Sequence, residues 1–221
     1  MTRGKCGFYS GRVATDPFFA SVKLLLHMNG TGSTFIDSSL SAKSVTPSGQ
    51  AVQVDSPSVF GRACKTDLSG SLVVSGGDDF NLGSGNFTIE GFFWPSTLPT
   101  SGFLYFFQHD GFLLYLFRTS GINYVDFRFG SGLARAAYTT STSSFTHFAG
   151  VRSGSVLSLY ANGVRVATSA VGSVPALSSN PLRLARATVG TILSDEIRVT
   201  KGVARYTGNS FGVPSSQFLD S

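Results

Sequence analysis

Apolar and polar positions along this chain alternate in short runs, and no window of 12 or more residues keeps a helical period with caps. Residues 22–28 (VKLLLHM) have strand length and stop at the turn pair Asn29-Gly30. Residues 62–68 and 71–75 read as two strands separated by Ser69-Gly70. Residues 86–94 predict a long strand with Phe87, Ile89 and Phe93 on one face, stopped by Pro95, which cannot donate to a central ladder. Residues 103–108 and 112–118 flank His109-Asp110-Gly111, a hairpin signal. In residues 123–129, Val125, Phe127 and Phe129 point one way, and Tyr124, Asp126 and Arg128 the other. Residues 146–152 follow with Phe148 and Val151 inward, and residues 139–144 read as a polar loop. Residues 157–167 predict a hairpin in which Asn162-Gly163 supplies the two positive φ values of a type I′ turn. Residues 182–184 and 197–199 give two later strands.

More than ten such strands, with turn signals every 8–12 residues, predict an all-β fold: a two-sheet antiparallel β-sandwich of jelly-roll type. No shift in composition divides residues 16–221, so they read as one domain, preceded by an N-terminal arm, residues 1–15.

Composition agrees and narrows the functional classes. Charged residues make up 13%, against roughly 25% in ordinary domains, and glutamate occurs only at positions 90 and 196. Surface-helix formers are therefore scarce, while Gly 26 and Phe 20 are plentiful. Aromatic residues at 13% argue against disorder. The net charge of +5 comes from isolated arginines (Arg118, Arg128, Arg135, Arg152, Arg165, Arg183), which read as solvent-facing strand positions. The one local bias is Arg3, Lys5 and Arg12 in the arm, ahead of the first acid, Asp16. Such an arm could touch nucleic acid or an acidic protein surface, but three charges alone read as a flexible solvated tail, and a nucleic-acid partner is not expected. Cys6 and Cys64 read as reduced thiols, with a single bridge from arm to body as the alternative. The N-terminus has no apolar core of a signal peptide, and the longest apolar stretches, residues 103–107 and 111–117, fall far short of a membrane span. A soluble protein made in a cytoplasm is expected, with no membrane partner.

Catalytic chemistry is poorly represented. No GxSxG, HExxH or phosphate loop occurs, and His27, His109 and His147 fall in separate predicted elements. A glycosidase would need two carboxylates across a cleft, and Glu90 and Asp126 are the pair on predicted strands that could face each other. The expectation is that the protein is not an enzyme. Sugar-binding candidates by residue type are Tyr124, Tyr138, Tyr160, Phe112 and His109, although packing accounts for most of a Phe-rich chain. Some of the phenylalanines are expected at a subunit contact.

Several fragments in order carry a family resemblance: Asp16-Pro17-Phe18-Phe19, residues 22–30, Phe35-Ile36-Asp37-Ser38-Ser39, Phe60-Gly61, residues 80–90 with Trp94-Pro95, residues 148–154, and residues 159–163. The ending, residues 195–207 (DEIRVTKGVARYT), is the most specific. Together they resemble the laminin G-like, concanavalin A-like domains of tailed-bacteriophage virion proteins. The resemblance implies a non-enzymatic virion structural protein, displayed on tail, collar, fibre or capsid and anchored through its arm beside other virion proteins. The virion surface is then its location after synthesis in the bacterial host cytoplasm, and a trimer is the expected symmetric assembly. The alternative is a receptor-recognising lectin for host-surface polysaccharide.

No cofactor is required by this reading. Domains of the fold often hold Ca²⁺, and the resemblance makes Asp67 and Asp195 the metal candidates, able to meet on one rim. The chain departs from the pattern there: no glycine follows Asp67, and Asn29 stands where an acid often precedes the glycine. Asp78-Asp79 reads as a solvated turn. Lys201-Gly202 reads as a turn needing glycine, with Arg205 and Tyr206 packing across the returning end of the sandwich.

Overall fold

A computed structural model describes residues 14–138 and 142–221. Among them the short alternating runs form fifteen strands. In the first half these are β1 (Val22–Leu26), β2 (Val45–Ser48), β3 (Ala51–Val54), β4 (Ala63–Thr66), β5 (Ser71–Val74), β6 (Phe87–Pro95) and β7 (Phe103–His109). The second half adds β8 (Phe112–Thr119), β9 (Ile122–Phe129), β10 (Gly132–Ala137), β11 (Thr146–Ser153), β12 (Val156–Ala161), β13 (Val164–Ala170), β14 (Leu182–Ala187) and β15 (Ile192–Lys201). Two single 3₁₀ turns, Phe19–Ser21 and Asp78–Phe80, are the only helical segments among the described residues.

The strands make two antiparallel sheets. One has eight strands in the order β13-β12-β11-β6-β15-β4-β3, with β1 pairing the other half of β15; the second has seven in the order β10-β9-β8-β7-β14-β5-β2. The predicted jelly-roll sandwich is thus the observed architecture. Strands β2, β3 and β10 are additions to the elements that the sequence pattern predicts. Pro47 sits in β2, the outermost strand of its sheet, where a missing N–H is tolerated. The alanine-rich run of β10 carries little hydrophobic alternation.

Between the sheets lies one core. Phe87, Ile89 and Phe93 of β6 face inward as predicted, and so do Val125, Phe127 and Phe129 of β9. The Phe93 ring stacks on Phe106 with centroids 4.5 Å apart, and Phe106 stacks on Phe148 at 5.1 Å. Gly150 on β11 makes room for this packing: a Cβ there would stand 2.8 Å from the Phe127 ring. Cys64 is buried in the same core, where burial pushes its thiol up to about 12. Its only counterpart in the sequence, Cys6, lies outside the described residues.

Two sequence expectations change here. Val151 does not join Phe148; strand alternation sends it to the opposite face, into a separate cluster with Ala149 and Tyr160. The chain after β15 covers that cluster with Ala204, Tyr206 and Phe211. Arg152 is not solvent-facing: it is 6% exposed, and its Nη1 donates to Gly83 O at 2.8 Å.

Candidate ligand-binding face

The outer face of the seven-stranded sheet carries a contiguous aromatic surface. Strand alternation turns Phe103 and Tyr105 of β7, Tyr115 and Phe117 of β8, and Tyr124 of β9 away from the core. Antiparallel register then lines them up in cross-strand rows. Tyr105 is opposite Tyr115, which is opposite Asp126; Phe103 is opposite Phe117, which is opposite Tyr124. Their ring centroids lie 5.5–6.0 Å apart along this patch. Phe103 is 39% exposed, unusual for so large an apolar ring. Four of the rings, Phe103, Tyr105, Tyr115 and Phe117, line a groove of about 360 Å³ with Leu113, Arg128 and Arg135.

Beneath the groove a buried polar clamp holds this surface in shape. Asp126 is fully buried; it accepts Arg135 Nε at 2.7 Å, Arg135 Nη2 at 2.8 Å and the Tyr115 hydroxyl at 2.9 Å. The same hydroxyl accepts Arg128 Nε at 2.8 Å. Burial, with the Asp126 charge beside it, pushes the Tyr115 phenol up to about 12, so it stays a neutral donor. The Arg135 guanidinium lies over Phe117 and Tyr124, 4.9 and 5.3 Å from their centroids.

Of the aromatic candidates read from sequence, the structure places Tyr124 on this face. Tyr138 and Phe112 belong to the core, and His109 is 3% exposed with Nδ1 accepting the Gly111 N–H. Tyr160 lies under the C-terminal segment on the other sheet. Sequence reasoning missed Phe103, Tyr105, Tyr115 and Phe117. The signal that finds them is the alternation of residues 103–106 and 114–117, extended from the parity assigned correctly to β9.

Glu90 and Asp126 do not form a catalytic pair. They occupy the outward faces of different sheets, with the whole core between them. Glu90 instead anchors a buried network on the eight-stranded sheet. It accepts Arg198 Nη2 at 2.7 Å and the Tyr206 hydroxyl at 2.7 Å, with His147 Nε2 3.3 Å away. Arg198 Nη1 and Arg205 Nη2 both reach Asp16, at 3.3 and 2.6 Å. Arg205 and Tyr206 thus pair across the returning chain as expected. Burial raises the Glu90 pKa, but Arg198, His147 and Tyr206 together hold it at about 2.

Asp67 and Asp195 do not meet either. The register pairs Thr66 with Ile192 and Cys64 with Ser194, which puts the two acids four residues apart along the ladder, about 13 Å at 3.3 Å per residue. Each carboxylate has other work: Asp67 accepts the Thr191 hydroxyl and faces Lys65 Nζ at 3.4 Å. Asp195 accepts the Val59, Phe60 and Glu196 N–H groups at 2.8–2.9 Å, fixing the turn at Phe60-Gly61. Among the described residues no group of three or more His, Cys, Asp or Glu side chains could hold a metal ion. Asp79 is not a free turn acid: it pairs with Lys43 Nζ at 2.9 Å and accepts the Ser41 hydroxyl. Arg3, Lys5 and Arg12 lie outside the described residues.

A family model described as the Concanavalin A-like lectin/glucanases superfamily, of laminin G type, matches residues 69–199. A comparison with curated protein sequences gives no match. Among solved structures, the binding domain of Paraclostridial Mosquitocidal Protein 1 is similar at TM-score 0.64 and 11% identity, over 84% of this chain and 50% of that one. Domain 4 of the extracellular GH43 arabinanase AbnA from Geobacillus stearothermophilus, solved with arabinotriose, gives 0.61 and 17%, over 84% and 94%. Botulinum neurotoxin type C, whose cell entry depends on two ganglioside molecules, gives 0.60 and 16%, over 84% and 49%. The chain spans about half the length of the toxin chains it matches, and at these identities the likeness is one of fold.

Proposed function

Because the chain belongs to the Concanavalin A-like lectin/glucanases superfamily, we propose that it is a non-enzymatic binding module that holds an oligosaccharide against the outer face of its seven-stranded sheet. The observation that carries this reading is the aromatic surface of Phe103, Tyr105, Tyr115 and Phe117, edged by Arg128 and Arg135. Sugar rings present apolar C–H faces that pack on aromatic rings and hydroxyls that accept from guanidinium groups, so a groove of this composition suits them. The Asp126 clamp holds the surface before any ligand arrives, which reduces the ordering cost of binding. Two of the similar proteins point to the same class of ligand: type C neurotoxin entry depends on gangliosides, which carry sugar headgroups, and the arabinanase domain was solved with arabinotriose. No metal enters this mode of binding.

The test is a glycan array on the intact protein, with and without a calcium chelator, followed by titration of the best ligand into wild type and Phe103→Ala. Chelator-insensitive binding that weakens about tenfold in the variant is expected, equal to a loss of about 1.4 kcal/mol. An array blank for every glycan would overturn the reading.

The setting we propose is the surface of a tailed-phage virion, as a trimeric displayed protein, on the strength of the ordered fragments that end in residues 195–207. One structural observation favours anchoring through the arm. The chain enters the domain at Asp16, against Arg198 of the eight-stranded sheet and Arg205 of the segment that follows β15. An arm held by a neighbouring virion protein through Arg3, Lys5 and Arg12 would leave the aromatic face turned outward. Deleting residues 1–13 should abolish incorporation into particles while leaving the domain folded; unchanged incorporation would overturn the anchoring role.

A further inference from the structure

Beside the aromatic surface, on the same sheet face, β14, β5 and the end of β7 floor a second, polar groove of about 720 Å³. Two arginines, Arg183 and Arg186, stand in it. Residues three apart on a regular strand point to opposite faces. Here they share one because the strand is irregular between them. Ala185 has φ 48, a left-handed conformation that an alanine rarely adopts. The ladder with β7 keeps its register but skips Ala185 and Phe106, between Leu184 opposite Phe107 and Arg186 opposite Tyr105. Leu184 and Ala185 are therefore both buried, and the arginines both face out. The irregularity is held from inside: the Thr66 hydroxyl donates to Ala185 O at 2.6 Å. Strand β7 has a matching irregularity between Tyr105 and Phe107, which turns Tyr105 and Gln108 to the same face.

The charges in this groove are not balanced. Among the described residues the Arg183 side chain has no hydrogen bond, ion pair or ring contact. Arg186 donates Nη1 to the neutral Gln108 side chain at 3.0 Å and lies over the Tyr105 ring at 5.6 Å. The single acid on the rim, Asp110, already accepts the Ser178 hydroxyl at 2.8 Å and Asn180 Nδ2 at 2.6 Å. The arginines of the neighbouring aromatic groove differ, since Arg128 and Arg135 both pair with Asp126. Of the four arginines in the two grooves, Arg183 and Arg186 are thus the two without an ion pair among the described residues, and they stand next to the rings through the Arg186–Tyr105 contact.

We propose that this polar groove takes the carboxylate of an acidic sugar residue on Arg183 and Arg186 while the rest of the glycan lies on the adjoining aromatic surface. A guanidinium fork matches a carboxylate in two parallel hydrogen bonds, which gives orientation as well as affinity. The proposal rests on the glycan-binding reading above and adds the class of sugar.

The experiment is calorimetric titration of the intact protein with two matched pairs: trigalacturonate against its methyl ester, and sialyllactose against lactose. A uronic acid ligand shows in the first pair and a sialic acid ligand in the second. In at least one pair the acidic member is expected to bind about tenfold or more tightly than its neutral partner. Arg183→Gln and Arg186→Gln should each reduce that preference, while Phe103→Ala should weaken both members. Circular dichroism checks that each variant is folded. Equal affinity within both pairs, or a preference that survives both arginine variants, overturns the acidic subsite and leaves the glycan reading standing. Binding of neutral array glycans alone likewise overturns the subsite, and binding of no glycan at all sinks both.

Discussion

Arg198 on β15 stands directly opposite Glu90 on β6, and its Nε and Nη2 both donate to Glu90 Oε1, at 2.9 and 2.7 Å. Both side chains are buried, under a layer that includes Tyr206 and Phe218. Losing one partner leaves the other charged and unsolvated, so Glu90→Gln or Arg198→Met should each cost about 3–5 kcal/mol in urea denaturation. Replacing both together, Glu90→Leu with Arg198→Met, should recover much of the loss. A double variant as unstable as the singles would contradict this account.

Acid should act on the same pair. The Glu90 pKa falls from its usual 4.5 to about 2 on folding. Its contribution is fully present above about pH 4.5 and is lost as pH falls through 2. Stability of the wild type should decline across that window, and Glu90→Gln should show a shallower decline. Urea midpoints measured between pH 5 and 2 check it.

Towards neutral pH the sign reverses. Burial, with the Glu196 charge adding to it, pushes the Asp195 carboxyl from its usual 3.8 up to about 7, against three backbone N–H donors. Folding therefore takes up a proton there, and stability falls as pH rises from about 4 to 7. His27 adds a second loss: burial lowers its pKa, but the hydrogen bond to Glu196 outweighs that and raises it above the usual 6.5. What it contributes below pH 6.5 disappears as pH climbs through the raised value. Thermal melts from pH 5 to 9 should show a falling Tm, flattened at the lower end by Asp195→Asn and at the upper end by His27→Gln.

The Phe127 ring occupies the space that a Cβ at residue 150 would need, 2.8 Å away. Gly150→Ala should cost about 1–3 kcal/mol through overpacking. Shortening the ring's side chain in the same molecule, as Phe127→Leu, should make the added alanine nearly neutral relative to Phe127→Leu alone. Thermal denaturation of the four proteins decides whether the two positions couple.

The Tyr115 hydroxyl joins Arg128 to Asp126. Removing it as Tyr115→Phe keeps the ring and should cost about 1–2 kcal/mol of stability. Affinity for a glycan should fall less than with Phe103→Ala, because the stacking surface remains. A variant with wild-type stability would mean that the clamp does not need the hydroxyl.

Strand positions are legible in the sequence because burial imposes a period of two, and both Asn162-Gly163 and the β7–β8 hairpin declare their turns locally. The all-β sandwich follows from those signals. Which aromatic ring faces out is legible only where polar partners mark the outward parity, as Asp126 and Arg128 do for Tyr124. In β7 and β8 both faces are apolar, so Phe103, Tyr105, Tyr115 and Phe117 look like core. Tyr160 and Val151 mislead for the opposite reason: their outward face is covered by Tyr206 and Phe211, which arrive from far along the chain. The paired arginines are hidden because Ala185 breaks alternation without a glycine to announce it. Asp67 and Asp195 depend on a four-residue offset in register, which no local pattern encodes.

Asp16 N donates to Ser221 O at 2.8 Å. A short glycine-rich joint between those two residues could close the domain into a ring, and the backbone could then be reopened at an exposed hairpin such as Ser120-Gly121. Order of synthesis and arrangement in space are in that sense separable here. The domain is suited to being carried in the middle of another protein's surface loop as well as at the end of a chain.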